Sequence, residues 1–327
     1  MDVSIAAPLF RARLRRPMMR LRPFGRSEGA VIKAENSQVA AGRVSPLIRR
    51  ALAPNPGPFT FTGTCSYIVG SGDVAIIDPG PADPRHIEAL LAAIGGESLR
   101  YVLVTHTHRD HAPAARALKE ATGATIAGCA PYAPCKAQRV GGPNLDAAHD
   151  MAYRSDIVLK DGDELRIGDA SLVALETPGH TANHLCFALA EEQALFTGDH
   201  VMAWATTVIA PPDGSMSDYM ASVERLRARP DNIYWPGHGE PIRDPQRYLR
   251  ALIHHRRARE AAILQRLEAG DETIPAIVAH IYEGVDKRLH PAAEMTTLAH
   301  LEDLTSRGLA DCAGEPGLEA HFRRRLA

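Results

Sequence analysis

The sequence lacks the cysteine pattern of a disulfide-stapled protein or of a cysteine zinc site. Its 327 residues include five cysteines, an odd number, and no two of them form a C-x-x-C pair. Disulfide frameworks use even sets of cysteines, and structural zinc sites use closely spaced ones. This absence favours a reducing, cytoplasmic setting. The cysteines are Cys65, Cys129, Cys135, Cys186 and Cys312.

Long apolar runs and a surplus of one charge are also absent. No stretch reaches the roughly 18 uninterrupted apolar residues of a membrane helix, so the sequence predicts no membrane partner. The formal net charge of −2 gives no whole-chain argument for a polyanionic partner. With 45% hydrophobic and 23% charged residues, the composition is typical of a globular protein with a sizeable core.

The length of the chain predicts more than one domain. Because 327 residues exceed the usual size of a single domain, we expect one large domain and one small one. Residues 1–26 stand apart, with seven arginines against one acid. Three interpretations compete: a disordered basic arm, a transit-type presequence, or an extension upstream of a start at Met18 or Met19. We favour the unstructured arm, because proline and clustered like charge both resist packing.

The densest cluster of metal-binding residue types is the segment THTHRDH at residues 105–111. It directly follows the apolar run YVLV at 101–104, which indicates a buried strand of a parallel or mixed sheet. Histidine together with carboxylate suits zinc, iron or manganese. A solvated polar turn explains a single histidine better than it explains this spacing. The segment therefore predicts a metal site at the end of a strand.

This motif resembles the signature of the metallo-β-lactamase superfamily, whose members hold one or two metals at the edge of an αββα sandwich. The resemblance implies further ligands downstream, and three later segments offer them in the expected order. His180 follows the alternating run at 171–175, Asp199 follows the apolar strand that starts at 194, and His238 follows the apolar segment at 232–236. The resemblance covers roughly residues 60–243, and it implies an α/β fold of the αββα type.

The same resemblance assigns these side chains to two metal ions. Three nitrogens would hold the first ion, and two nitrogens and a carboxylate would hold the second. Asp199 would bridge both ions, and Asp78 would orient ligands from behind, although an Asp before Pro-Gly also fits a plain turn. The two sets are His106, His108 and His180 for the first ion, and Asp110, His111 and His238 for the second.

The implied cofactor is two Zn²⁺ ions per chain, with iron or manganese as alternatives. A metal lowers the pKa of bound water from about 15.7 toward roughly 7, so a hydroxide nucleophile exists at neutral pH. That nucleophile would attack an acyl or phosphoryl centre. The predicted catalytic carboxylates are Asp110, Asp199 and Asp78.

Two further histidines near the motif are interpreted differently. His149 lies within residues 128–156, which lack periodicity and fit an insertion near the mouth of the site. We predict that it is a surface residue rather than a ligand. His184 lies in an apolar strand, which predicts a buried core histidine.

After Pro245 the pattern changes to helices. Three are predicted, over residues 247–268, 273–282 and 291–307. Three helices and a glycine-containing tail resemble a winged-helix domain, an arrangement similar to the β-lactamase-like protein 2 subgroup of the superfamily. The predicted domains are thus an arm at 1–26, a metallo-β-lactamase-fold catalytic domain at 27–245 and a winged-helix-like domain at 246–327.

A winged helix often indicates nucleic acid binding, but charge does not support it here. Residues 246–327 contain twelve basic and twelve acidic side chains, whereas binding to a phosphate backbone needs surplus cations. Two local basic stripes, Arg247 to Arg259 and Arg323 to Arg325, could each guide a short RNA or an anionic acyl substrate toward the metals. If RNA is the substrate, the predicted track is the part of the first stripe near Arg256 and Arg257.

Two classes of function stay open. The first is a binuclear metal-dependent hydrolase acting on an ester, thioester or lactam or, as the subgroup resemblance allows, an endoribonuclease acting on single-stranded RNA. The second is a non-catalytic metal-binding protein with a regulatory or interaction role. The presence of all seven expected ligands favours the enzyme. Its expected partner is a small-molecule acyl substrate or single-stranded RNA, and assembly as a homodimer stays open.

Overall fold

Two β-sheets form the centre of the structure, a computed structural model that describes residues 41–134 and 145–325. The predicted arm at 1–26 lies outside these residues. The first sheet has seven strands in chain order, antiparallel up to the fourth strand and parallel from there on. They are β1 (Gly42–Arg43), β2 (Ile48–Leu52), β3 (Cys65–Ser71), β4 (Asp73–Ile77), β5 (Ser98–Val104), β6 (Thr125–Gly128) and β7 (Ile157–Val158).

The second sheet has five strands in reverse chain order. The two strands that come last in the chain are parallel to each other, and all other neighbouring strands are antiparallel. Alternation along its third strand, from Leu185 to Leu189, explains the packing, because successive side chains point to opposite faces. Phe187 lies in the core between the sheets, whereas Cys186 and Ala188 lie in a second cluster on the other face. The strands are β8 (Glu164–Ile167), β9 (Ala170–Glu176), β10 (Leu185–Leu189), β11 (Ala194–Gly198) and β12 (Ile233–Pro236).

Helices cover the outer face of each sheet. On the first sheet, α1 (Pro84–Ile94) and α2 (Ala114–Thr122) bury Leu90 and Leu118. On the second, α3 (Met216–Arg227) contributes Val223 and Leu226 to the second cluster. This confirms the predicted αββα sandwich. The short 3₁₀ helices are Leu145–Ala148, Ala190–Glu192 and Lys287–Leu289.

The helical C-terminal region is also confirmed. It contains α4 (Pro245–Glu268), α5 (Ile274–Ile281), α6 (His290–Ser306) and a hairpin of β13 (Ala310–Cys312) and β14 (Phe322–Arg324). The 24 residues of α4 extend for about 36 Å at 1.5 Å per residue. This length lets α4 contribute Leu249 to the cluster beneath the second sheet and Ile263 to the core of the helical region. No helix in the described ranges is long and apolar enough to cross a membrane.

Candidate metal centre

The candidate site lies where four strands end. The motif at 105–111 follows β5, and His180 follows β9. Asp199 directly follows β11, and His238 lies two residues after β12. Because β11 and β12 are parallel neighbours with Gly198 opposite Pro236, their carboxyl ends meet at one edge of the sheet. Local strand endings therefore converge to form one site.

Three imidazoles and a carboxylate form the first group. Nδ1 of His108 lies 3.0 Å from Nε2 of His106 and 3.2 Å from Nε2 of His180. One ligand atom from each of these residues and from Asp199 lies within 4.8 Å of all the others. Three histidine nitrogens that leave a further position open are typical of a catalytic zinc site.

Two imidazoles and two carboxylates form the second group. The Nε2 atoms of His111 and His238 are 3.3 Å apart, and Oδ2 of Asp110 lies 3.1 Å from Nε2 of His238. Asp199 completes this group as well. The structure therefore brings together all seven of the sequence-predicted ligands.

Asp199 faces both groups with different oxygens. Its Oδ1 lies 3.4 Å from Nε2 of both His111 and His238, whereas its Oδ2 lies 3.9 Å from Nε2 of His180. The Oδ1 atom is buried and has no hydrogen-bond partner among the described residues. A buried carboxylate oxygen without a donor is costly unless a cation satisfies it.

Asp78 and Thr105 fix the ligand histidines from behind. Nδ1 of His111 lies 2.9 Å from Oδ2 of Asp78, and the same carboxylate accepts hydrogen bonds from the Thr105 amide and hydroxyl. Since the hydroxyl donates to Asp78, it can accept from Nδ1 of His106 at 2.9 Å. Asp78 also has a positive φ of 49°, which is uncommon for a non-glycine residue and frequent at functional sites. Asp78 thus contacts His111 directly and His106 through Thr105.

Backbone carbonyls orient two other ligands. Nδ1 of His180 donates to the Val208 carbonyl at 2.8 Å, and Nδ1 of His238 donates to the Gly63 carbonyl at 3.2 Å. A histidine that donates through Nδ1 keeps the Nε2 lone pair for a metal. No pattern in the sequence indicates these carbonyls, because they come from loops far from the ligands along the chain.

The electrostatics of the two groups differ. Burial and the neighbouring imidazoles hold the pKa of His106 and His108 well below the ordinary value, so both are neutral ligands. Burial opposes charge on His238, but Asp199 and Asp110 raise its pKa to about 9. Burial likewise opposes charge on Asp110, but His111 and His238 lower its pKa to about 2. The ionised carboxylates of the second group therefore stabilise positive charge on its histidines. A divalent cation at the same place would also supply positive charge.

Two of the sequence interpretations are wrong. His149 is not a surface residue, because only 3% of it is exposed. Its Nδ1 lies 2.8 Å from the Thr107 hydroxyl, and its ring stacks on Tyr132 and packs against His108. Arg256 cannot be a surface contact for RNA, because it is 3% exposed.

His184 is buried, as predicted, and Nδ1 of its ring pairs with the Thr177 hydroxyl at 2.9 Å. It precedes β10 rather than lying in the strand, and its Nε2 has no hydrogen-bond partner among the described residues. It belongs to neither candidate group of metal ligands.

Comparison with known proteins assigns the family. The family model described as the metallo-beta-lactamase superfamily matches residues 59–238, and that of the beta-lactamase associated winged helix domain matches residues 273–317. The chain belongs to the metallo-β-lactamase superfamily. The second match covers α5, α6 and β13 of the helical C-terminal region.

Individual relatives agree with this assignment. An atrochrysone carboxyl ACP thioesterase of Cryptosporiopsis sp. is 29% identical over 285 residues, 86% of this chain and 80% of that one. A beta-lactamase-like protein 2 homolog of Caenorhabditis elegans is 30% identical, over 70% of this chain and 74% of its own. The structure of a metallo-beta-lactamase family protein from Thermus thermophilus has a TM-score of 0.72 at 24% identity, and covers 86% of this chain and 100% of its own.

Proposed function

We propose that this protein is a hydrolase that holds two divalent metal ions and cleaves acyl bonds, with thioesters as the first substrate class. The observation that supports this proposal most is Asp199, which directs one carboxylate oxygen toward each group of ligands. A carboxylate between two ions about 3.5–4 Å apart is typical of two-metal hydrolases.

The residues present fit such ions. The nitrogen-rich first group suits zinc, and the second group, with its additional carboxylate, suits zinc, iron or manganese. The unpartnered Oδ1 of Asp199 and the ligand histidines that donate through Nδ1 leave lone pairs directed into the site. We propose zinc for both positions.

Bound divalent ions would supply an activated water and would stabilise the negative charge that develops on the attacked oxygen. The chain's own part is to hold the ligands and orient the attacking water. Asp78 and Thr105 keep His111 and His106 in one tautomer and ring orientation. Asp110 has the most exposed carboxylate of the ligand set, with 26% of its side chain accessible, and its pKa of about 2 keeps it ionised. In our proposal the Asp110 carboxylate accepts a hydrogen bond from the attacking water and so orients it.

The substrate class follows from the surroundings of the site. A cavity of about 340 Å³ is lined by residues that include Asn183, His184 and Asp213 and by none of the seven candidate ligands. It is linked to the first group through His184, whose ring centroid lies 5.1 Å from that of His106. This volume falls within the range of small-molecule sites. The thioesterase name of the Cryptosporiopsis relative supports a thioester within that range.

The charges of the helical region favour an acyl substrate over single-stranded RNA. Within the basic stripe, Arg256 is buried and Arg259 donates to the Ile281 carbonyl. Arg247, Arg250 and Arg257 are exposed, and Arg257 is paired with Glu224. Cations that are buried or already paired add little to phosphate binding, which requires release of counterions by free basic side chains.

The test is a hydrolysis panel with the zinc-reconstituted protein. The panel contains acyl thioesters, oxygen esters, lactams and single-stranded RNA. We expect thioester turnover, lost on chelation and in Asp199→Asn, and retained in Asp169→Asn, a matched change at an exposed aspartate. Cleavage of RNA alone would favour the endoribonuclease. Stoichiometric metal without any turnover would favour a non-catalytic metal-binding protein.

A further inference from the structure

Arg256 is a buried arginine on α4 whose side chain reaches the backbone of residue 207. One guanidinium nitrogen donates to the Thr207 carbonyl at 2.5 Å, and the guanidinium lies 4.9 Å above the ring of Tyr219. A buried charge is costly unless hydrogen bonds and neighbouring groups compensate for it. The contacts of Arg256 therefore require the backbone at residue 207 to stay in one position.

The segment that Arg256 holds is in contact with two metal ligands. The Thr207 hydroxyl donates to the Asp199 carbonyl at 2.6 Å. The next residue, Val208, accepts the hydrogen bond from Nδ1 of His180. A shift of the peptide at residue 207 would therefore move a partner of each ligand.

A second contact fixes the same segment from α6. The amide of Ile209 donates to Oγ1 of Thr296 at 3.3 Å. Of three consecutive residues, the first and the last are held by the C-terminal helices, and the middle one holds His180. The turn that carries His180 is also hydrogen-bonded to α3, because the Ser222 hydroxyl donates to the Pro178 carbonyl at 2.9 Å.

We propose that Arg256 is a positioning residue for the metal centre, which acts through residues 207–208 on His180 and Asp199. The proposal depends on the metal site of the proposed function, and it gives the helical region a role in metal affinity. Partners behind metal ligands typically change metal affinity about 10- to 100-fold when they are removed.

The first experiment compares Arg256→Met with Arg257→Met. Methionine keeps most of the side-chain length but removes the charge and the donors. Arg257 is the next residue on the same helix, but 68% of its side chain is exposed and it pairs with Glu224. Zinc affinity is measured by competition with a chromogenic chelator. We expect Arg256→Met to weaken zinc binding by about 10-fold or more and Arg257→Met to leave it unchanged. Equal affinities in the two variants would overturn the proposal.

A second pair of variants tests the same role if Arg256→Met does not fold. Thr296 and Thr297 are adjacent on α6 and both buried, but only Thr296 accepts from Ile209, whereas the Thr297 hydroxyl has no hydrogen-bond partner among the described residues. Threonine and valine have the same shape. Thr296→Val should therefore weaken zinc binding, and Thr297→Val should not. The opposite order, or no effect of Thr296→Val, contradicts the role given to this segment.

A measurement of how the effect of Arg256→Met depends on His180 distinguishes a positioning role from an effect on overall stability. With Co²⁺ in place of zinc, the visible absorption of the ion reports the geometry of its ligands. We expect Arg256→Met to change that spectrum, and Arg256→Lys, which keeps a cationic donor, to restore it in part. In a His180→Ala background, Arg256→Met should have a smaller effect on metal affinity than in the wild type, because only the path through Asp199 remains. An undiminished effect would mean that Arg256 acts on overall stability, and the proposal would fail.

The metal measurements also separate this proposal from the proposed function. Failure of the wild-type protein to bind zinc would overturn the metal-dependent function itself. Zinc binding that is strong in the wild type and equally strong in Arg256→Met would overturn only the role of Arg256.

Discussion

At the scale of single residues, the candidate metal centre contains carboxylates that face the proposed ion positions and one that lies behind the proposed ligands. Asp199 lies between the two groups of ligands, whereas Asp78 accepts hydrogen bonds from Thr105 and His111 behind them. Removing a shared ligand affects both ions. Removing a supporting residue changes only the orientation and basicity of the ligands.

We therefore predict that Asp199→Asn loses more metal than Asp78→Asn. Asparagine is a suitable replacement at residue 78, because it tolerates the positive φ of 49° there better than alanine does. Elemental analysis after zinc reconstitution and desalting should give close to two ions per wild-type chain, a partial loss in Asp78→Asn and the lowest content in Asp199→Asn. A lower content in Asp78→Asn than in Asp199→Asn would contradict the roles given to the two residues.

At the scale of elements, α3 lies directly against the turn that carries His180. Gly179 in this turn has φ +139°, and a Cβ at this position would lie 2.3 Å from Cα of Tyr219, the ring of which supports Arg256. Backbone cannot move aside as the end of a flexible side chain can. The close approach of turn and helix therefore requires glycine.

Gly179→Ala should destabilise the fold and reduce zinc affinity together. Gly162 is the matched control, because it also has a positive φ, +86°, but a Cβ there would meet nothing within 4 Å. We expect Gly162→Ala to cost about 1 kcal/mol through backbone strain alone, with unchanged zinc affinity, and Gly179→Ala to cost roughly 1–3 kcal/mol more. Urea unfolding and zinc competition measure both quantities. Equal costs in the two variants would show that the contact with α3 is unimportant.

At the scale of the whole molecule, buried neutral histidines make stability depend on pH. Nε2 of His86 on α1 lies 2.8 Å from the Ser66 hydroxyl, which itself donates to the Asp78 carbonyl, so Nε2 must be the donor to Ser66. The other nitrogen, Nδ1, has no partner among the described residues, and burial lowers the pKa of His86 to about 4. A proton on Nδ1 would therefore be unsatisfied in the folded state.

Stability should fall as the pH is lowered from about 6.5 to about 4. Over this range the unfolded chain takes up a proton at His86 that the folded chain excludes, so the stabilisation present above pH 6.5 is lost, by up to roughly 3 kcal/mol. His86→Gln keeps a donor for Ser66 but does not titrate. Urea unfolding of the metal-free proteins between pH 7.5 and 4.5 should give a flatter profile for the variant. Parallel profiles would rule out this contribution of His86.

Metal binding should also stabilise the whole fold. Ions that bind the assembled ligands but not the unfolded chain add stability in proportion to the logarithm of their concentration, about 2.7 kcal/mol at 100 times the Kd. The melting temperature should therefore rise with added zinc in the wild type and far less in His180→Ala. A zinc-independent melting temperature in the wild type would argue against ligands converging on an ion.

The sequence by itself determined the parts of this protein that depend on neighbouring residues. An apolar strand followed within four residues by His or Asp is a local pattern, and the family resemblance implies that His180, Asp199 and His238 in such patterns join the ligands of the segment at 105–111. Helix periodicity likewise predicted the three C-terminal helices, which the structure has at Pro245–Glu268, Ile274–Ile281 and His290–Ser306. For α4 the predicted start at residue 247 was late, because Asp244 caps the helix and starts it at Pro245.

Only the tertiary structure decided how those local pieces meet. His149 has an irregular sequence around it, yet it is buried because Thr107, Tyr132 and His108 surround it from other segments. Arg256 belongs to a basic run that looks exposed in sequence, but the packing of α4 beneath the second sheet turns it inward to residue 207. Contacts between residues 40 or more positions apart leave no periodic trace in the chain, because burial of a polar side chain depends on partners that folding brings to it.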